Sequence, residues 1–251
     1  MAALDGRTIL ITGASSGLGA HWTRLCVAQG ARVVAAARRV DRLEALAREL
    51  GGAVHPVAMD VTDAASVAAG FASGADALGP IDGVVANAGV AIDAPALEMS
   101  AADLDATLAT NVRGVMLTAQ EGARRMIAEG TGGHEGGRIV LVSSVTADRM
   151  VSPALAAYAA SKAAVVQMGR VMAREWARSG ISLNILCPGY ALTDINAAWF
   201  ATDAGRRHVA TWPRRRLMAA GDMDGIVTFL LSDGARATTG SVLTVDDGQS
   251  L

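Results

Sequence analysis

Tyr158 and Lys162 stand four residues apart in the stretch YAASK, which reads as the start of a helix. That spacing puts a phenol and an ammonium on one helix face, about one turn apart. A nearby cation favours phenolate and lowers a tyrosine pKa from its usual ~10, which suits proton transfer near neutral pH. On the pentapeptide alone, a packed tyrosine beside a solvated lysine is the simpler reading, so the rest of the chain must decide. A second group is ILITGASSGLG, where Gly13, Gly17 and Gly19 follow an apolar run. Their spacing is Gly-x-x-x-Gly-x-Gly rather than Gly-x-Gly-x-x-Gly. Glycines there allow positive φ and close approach of a ligand. The helix that follows offers free N–H groups and a positive dipole end to a pyrophosphate, and Ser15 and Ser16 add hydroxyl donors.

The elements that must position these residues alternate along the chain. Short apolar runs at Thr8–Ile11, Arg32–Ala36, Val54–Ala58, Gly83–Ala86, Arg138–Val142, Ser182–Leu186 and Val242–Val245 read as strands. Most are apolar on both faces, as in a parallel sheet covered on two sides. Helical segments fall near 18–29, 40–50, 63–78, 100–129, 158–179 and 222–231, with Asp63, Ser100 and Asp222 placed as N-caps. Repeated βα units predict a right-handed, doubly wound α/β fold with helices on both faces of about seven parallel strands. The glycine-rich run 130–137 reads as a surface loop, with His134 solvated there.

The 251 residues suit one large α/β domain over 1–251. A hydrophobic share of 51% against 18% charged residues supplies a sizeable core. A net charge of −2 argues against nucleic acid or an anionic membrane as the main partner. No charged-then-apolar leader opens the chain and no apolar run is long enough to span a bilayer, so the expected location is the cytoplasm. Cys26 and Cys187 lack metal-ligand spacing and read as buried free thiols; no metal site is expected.

Taken together, Thr12 to Gly19, Asp60-Val61, Asn87-Ala-Gly89, Asn111, Ser143-Ser144, Tyr158-x-x-x-Lys162 and Pro188-Gly189 followed by Thr193 resemble the short-chain dehydrogenase/reductase family. They occur in family order and cover nearly the whole chain. The resemblance implies a Rossmann-type sheet and hydride transfer between a nicotinamide and a carbonyl or alcohol. It assigns Tyr158 as general acid/base, and Lys162 as the cation that lowers the tyrosine pKa and bonds the nicotinamide ribose. Ser144, rather than Ser143, becomes the donor to the substrate oxygen, and Asn111 holds a relay water. Gly13, Ser15, Ser16, Gly17, Leu18 and Gly19 would cradle the pyrophosphate. Asp60 and Val61 would meet the adenine, Asn87 and Gly89 the adenosine ribose, and Pro188, Gly189 and Thr193 the nicotinamide amide and phosphates. The chain departs from the family pattern at Ala86, often Asn, and at Asp246-Asp-Gly-Gln249, where Asp-Gly-Gly is usual.

Two specificities follow as expectations. NAD-preferring relatives usually carry an Asp at the position of Ala37; here Ala37-Arg38-Arg39 stands instead. A guanidinium matches a phosphate bidentately, so NADP(H) is expected over NAD(H), with Arg38 as main contact and Arg39 assisting. A solvated arginine pair beside Asp41 and Glu44 is the plainer alternative. In the family a substrate lid follows, here near 190–216, and Tyr190, Trp199, Phe200 and Trp212 fall in it. As pocket walls they suit a mainly apolar ketone or secondary alcohol; as packing they only seat the lid. The alternatives are a 3-oxoacyl thioester reductase, a sugar or polyol dehydrogenase, or a dinucleotide-binding protein without catalysis. Arg214, Arg215 and Arg216 could hold an anionic substrate tail, though solvation or ion pairing is the simpler reading. The family's long helices imply a homotetramer, or a homodimer.

Overall fold

A computed structural model of the chain describes residues 2–131, 134, 136–149, 152–192 and 196–251. Seven strands form one parallel sheet in the order β3-β2-β1-β4-β5-β6-β7. They are β1 (Thr8–Thr12), β2 (Arg32–Ala37), β3 (Val54–Ala58), β4 (Gly83–Ala86), β5 (Gly137–Val142), β6 (Ile181–Pro188) and β7 (Val242–Val245). Register runs Ile9↔Val33 and Ile9↔Gly83 on the two sides of β1. All seven strands lie where the apolar runs placed them, with ends shifted by at most two residues.

Side chains alternate between the two faces of each strand. Leu10, Val34, Val84, Ile139 and Leu141 point into one apolar layer. There they meet Val67 and Phe71 of α3 (Ala64–Leu78), Val115 and Ala119 of α5 (Val115–Glu129), and Val165 and Met172 of α6 (Ala156–Trp176). Ile9, Ile11, Val33, Val85 and Val140 point into the other. Trp22 and Cys26 of α1 (Gly17–Ala28), Leu43 of α2 (Val40–Leu50) and Leu230 of α9 (Asp224–Leu231) cover that side. Two covered faces explain why these strands lack polar alternation. Cys26 and Cys187 are free and buried.

Asp63 and Ser100 cap α3 and α4 (Ala101–Leu108), accepting from the backbone N–H of Ala65 and Asp103. Asp222 departs from its expected cap role. It lies inside a 3₁₀ turn, Ala220–Met223, and its carboxylate accepts from the N–H of Ala219, one turn upstream of α9. The expected helix 100–129 is likewise not one regular α-helix: a π-segment, Ala109–Gly114, separates α4 from α5. Two short helices, α7 (Ala197–Phe200) and α8 (Asp203–Thr211), occupy the expected lid. Among the described residues, no helix is long and apolar enough to cross a membrane.

Candidate active site

The candidate residues gather at the carboxyl ends of β1, β4, β5 and β6. The order reverses between β1 and β4, and in open parallel sheets ligands bind at that crevice. Ser143 and Ser144 leave β5 directly after Val142, and the two hydroxyls do different work. The Ser143 hydroxyl donates to the Lys162 carbonyl at 2.8 Å and so ties β5 to α6. The Ser144 hydroxyl accepts from the Thr146 N–H at 3.2 Å and the Thr146 hydroxyl at 3.0 Å, which leaves its own proton to donate. That hydroxyl lies within reach of the Tyr158 phenol and favours its ionised form. Ser144 is therefore the serine aimed at the phenol, and Thr146 is a supporting residue that the sequence reading missed. Its position two residues past a serine, a spacing common in local hydroxyl turns, was the available signal.

Tyr158 and Lys162 share one face of α6, and Lys162 Nζ lies 5.6 Å from the Tyr158 ring centre. The ammonium donates to the Val142 carbonyl at 3.0 Å. Burial pushes the Lys162 pKa down to about 8. The expected lowering of the tyrosine pKa does not occur in the chain by itself. Burial of the phenol pushes Tyr158 up to about 12 against the opposing Ser144 hydroxyl, and charge on Tyr190 would push it further up. Desolvation outweighs the lysine here because the ammonium faces a carbonyl and the tyrosine ring rather than the phenol oxygen.

Asn111 is fully buried in the π-segment. Its amide oxygen accepts from the Val90 N–H at 2.8 Å, and its amide nitrogen donates to the Val90 carbonyl at 2.8 Å and the Ser161 hydroxyl at 3.0 Å. The expected relay water thus finds the amide already committed, and the side chain anchors the loop after β4. A π-segment inside a helix often marks a functional site.

The glycine-rich turn has the geometry expected of it. Gly13 and Gly17 have φ of +70° and +53°. A Cβ on Gly19 would strike the Gly13 carbonyl and lie 2.8 Å from Asn87 Nδ2. Thr12 locks the turn to β4: its hydroxyl accepts from the N–H groups of Asn87 and Ala88 at 3.0 Å, and its carbonyl from Asn87 Nδ2 at 3.0 Å. Asn87 thus braces the turn with the amide that was expected beside a ribose. Ser16 caps α1 without a side-chain bond, and no acidic residue lies in the first turn. The uncapped N–H groups and unopposed dipole fit an anionic dinucleotide. Gly89 leaves room as well, since a Cβ there would sit 3.3 Å from Asn111 Oδ1 and 3.4 Å from Lys162 Nζ.

Asp60 accepts from the N–H and hydroxyl of Thr62 at 2.9 and 2.8 Å, and the first of these bonds does most to hold its carboxyl below its ordinary pKa. Arg38 is exposed and acts on Asp60 through its charge. Arg39, expected only to assist, reaches the turn itself, donating to the hydroxyls of Ser15 at 2.9 Å and Ser16 at 2.6 Å. Val61 is buried against Gly114, Leu18 packs on the α1 side of the sheet, and Gly189 donates to the Val245 carbonyl at 2.9 Å just after Pro188 ends β6. Thr193 lies outside the described residues.

In the lid, Tyr190 stacks on Trp212 at 5.6 Å and meets the Phe200 edge at 5.4 Å, and His208 joins Trp199 and Trp212. Phe200 and Trp212 are buried, so they pack this segment onto the body rather than line an open pocket; Trp199 remains 46% exposed. Tyr190 also hydrogen-bonds Ser152 at 2.7 Å. Two of the three arginines in the run are ion-paired: Arg214 and Arg216 pair with Asp247 at 2.8 and 2.7 Å, and Arg216 also with Asp222 at 2.9 Å.

This arrangement can move a proton beside a turn that can take an anionic dinucleotide. The short chain dehydrogenase family matches residues 7–204. The chain belongs to the short-chain dehydrogenase family. It is 37% identical to a D-threitol dehydrogenase of Mycolicibacterium smegmatis, over 99% of this chain and 94% of that one. A gluconate 5-dehydrogenase from Burkholderia cenocepacia, solved in complex with NADP and tartrate, superposes with a TM-score of 0.91 at 33% identity, covering 99% of this chain and 97% of that one. A 3-ketoacyl-(acyl-carrier-protein) reductase from Brucella melitensis complexed with NADH superposes at 0.90 with 32% identity, covering 99% and 100%. This short-chain dehydrogenase is an oxidoreductase of the CH–OH/C=O pair that uses a nicotinamide dinucleotide.

Proposed function

We propose that this dehydrogenase interconverts a secondary alcohol of a small polyol and the corresponding ketone, with NADP(H) as the preferred dinucleotide. The observation that carries the reading is the Ser144–Tyr158–Lys162 group at the switch point of the sheet. When bound, the nicotinamide supplies the hydride acceptor or donor. Gly13, Gly17, Gly19, Ser15 and Ser16 would hold the pyrophosphate end, Asp60 and Val61 the adenine, and Lys162 the nicotinamide ribose. In the oxidising direction Tyr158, as the phenolate that the positive charge of a bound oxidised nicotinamide would favour, takes the hydroxyl proton as the alcohol carbon gives up its hydride. In reduction it returns that proton to the developing alkoxide. The Ser144 proton, freed by the two Thr146 bonds, stabilises the same oxygen.

The D-threitol and gluconate dehydrogenase relatives support the polyol, and the tyrosine and serine hydroxyls around Tyr158 suit a substrate rich in hydroxyls. The apolar alcohol expected from the aromatic lid is the second reading, favoured by the exposed Trp199. For the cofactor, Arg38 and Arg39 in place of an acid after β2 support the 2′-phosphate, as does the Arg39 contact to Ser15 and Ser16. We further propose that residues 190–216 form the substrate lid of one domain over 1–251. Exposed Met116 and Ile127 on α5 and Val171 on α6 would be covered in a homotetramer, and the protein would work in the cytoplasm.

The test is a panel of tetritols, hexitols, apolar secondary alcohols and 3-oxoacyl thioesters, assayed with both cofactors by reduced-nicotinamide absorbance. Highest kcat/KM on a polyol with NADP is the expected result. Preference for apolar alcohols overturns the substrate, and preference for NAD overturns the cofactor. A charge-assisted contact of ~1.5–3 kcal/mol corresponds to a cofactor preference of roughly ten- to a hundredfold, which Arg39→Ala and Arg38→Ala should reduce.

A further inference from the structure

Near its C-terminal end the chain reads Asp246-Asp-Gly-Gln249, and the Asp247 and Gln249 side chains both act on the segment that starts at Tyr190. Asp247 has a φ of +53°, a left-handed conformation that glycine adopts freely and that an aspartate holds only at some cost. Non-glycine residues in such conformations persist where their surroundings over-determine them. Here the carboxylate, 9% exposed, grips Arg214 and Arg216. Arg215 between them also has positive φ, +51°.

Gln249 grips the other end of the same segment. It is buried, its amide oxygen accepts from the Tyr190 N–H at 2.6 Å, and its amide nitrogen donates to the Tyr190 carbonyl at 3.1 Å and reaches the Arg216 carbonyl at 3.5 Å. A Cβ on Gly189 would come within 2.6 Å of Gln249 Oε1, so only glycine lets this turn close down on the chain. The two ends of the segment also bridge each other, Ala191 to Met218, with the Met218 N–H donating to the Tyr190 carbonyl at 3.1 Å. Tyr190 leaves this junction with its ring on Trp212 and its hydroxyl on Ser152, and it lies within electrostatic reach of Tyr158.

We propose that the turn Asp246–Gln249 is a latch across both ends of the lid, and that Asp247 and Gln249 are positioning residues that hold Tyr190 beside Tyr158. The latch acts on the alcohol substrate through Tyr190, whereas the glycine-rich turn that would hold the pyrophosphate stands on another element, after β1. It rests on the proposed dehydrogenase reading only in its kinetic arm.

The test compares the parent with Asp247→Asn, which keeps shape and tolerance of positive φ but removes the charge, and with Asp247→Gly, which relieves the backbone and cannot be faulted for folding. Limited trypsin digestion reads lid opening without substrate, since Arg206 and Arg207 are exposed on α8. Loss of a charge-assisted contact should speed cutting within 206–216 roughly tenfold or more in both variants. The unfolding midpoint should stay at the parental value, while KM for the alcohol rises by a similar factor and kcat changes little. Parental cutting rate and KM in Asp247→Gly would overturn the latch. So would losses that come together with a lower midpoint, because the carboxylate would then merely stabilise the fold. If cutting accelerates while no polyol is turned over, the latch stands and only the substrate assignment fails.

Discussion

At the scale of single residues, Lys162 is the only lysine among 22 basic side chains, the rest being arginine. A guanidinium stays charged at any working pH, whereas an ammonium can lose its proton when buried. Of lysine and arginine, only lysine can titrate near neutrality at this buried position, and burial brings it to about 8. Protein labelled with ¹³C at the lysine ε-carbon should show one side-chain titration, with a midpoint near 8 rather than the 10.5 of a free lysine. A midpoint at the free value would contradict the burial argument. The same shift fixes a sign for stability. A lysine whose folded pKa is depressed loses its proton in the folded state first, so its contribution to stability rises between about 8 and 10.5. Cys26 and Tyr158, both pushed up to about 12, oppose this at higher pH, so the comparison is parent against Lys162→Met. The difference in stability between parent and variant should therefore rise across that interval, and a flat difference would contradict the shift. Tyr158→Phe is the companion change. It keeps the ring and the α6 packing and removes the proton donor, so turnover should fall by ~10²–10⁴-fold with cofactor affinity intact. Near-parental turnover at saturating substrate would remove Tyr158 from the acid/base role.

At the scale of elements, the strand–turn–helix β1–α1 and the broken helix α4–α5 carry the site. Gly19→Ala would force a methyl against the Gly13 carbonyl, which is backbone and cannot step aside as a flexible side chain would. Overpacking of this kind costs about 1–3 kcal/mol. The loss should appear as roughly tenfold or weaker cofactor affinity by nicotinamide fluorescence titration, because the distorted backbone is the part that would face the pyrophosphate. Affinity within twofold of the parent would show that the turn does not hold the dinucleotide. In the broken helix, Asn111→Leu keeps side-chain volume but leaves the Val90 N–H and carbonyl and the Ser161 hydroxyl without their partner. Each unsatisfied buried group costs about 1–3 kcal/mol, so thermal unfolding should drop by several degrees. An unchanged Tm would mean the amide is not the anchor described.

At the scale of the whole molecule, the end of the sheet opposite the site is closed by charge. Arg7 and Asp82 are each about 2% exposed and pair at 2.8 Å; Asp82 also accepts from the Thr8 N–H, and Arg7 bonds Asp233, which lies 3.5 Å from Arg138. The group joins β1, the approach to β4, β5 and the turn after α9, so it clamps the strand starts while the strand ends carry the chemistry. Removing one partner from a buried pair leaves an uncompensated charge and costs about 3–5 kcal/mol. Asp82→Ala should therefore lower the denaturant midpoint markedly while surviving folded enzyme keeps its kcat. A fall in kcat at parental stability would show that the two ends are coupled, which this architecture does not require.

The local pattern of residues determined most of the scaffold. Seven strands, the caps at Asp63 and Ser100, the glycine-rich turn and the YAASK pair were legible because each depends on neighbours a few residues away or on the alternation of a covered sheet. What depended on distant contacts was not legible. No local signal said that the Asn111 amide would be spent on Val90, or that Arg39 would reach Ser15 and Ser16. Nor did one say that Asp247 and Gln249 would close on Arg214, Arg216 and Tyr190. The tyrosine pKa is the clearest case. Spacing along a helix brings a cation one turn away and suggests a lowered value. The folded chain then buries the phenol and turns the ammonium to the Val142 carbonyl, and desolvation, a property only the tertiary structure has, wins.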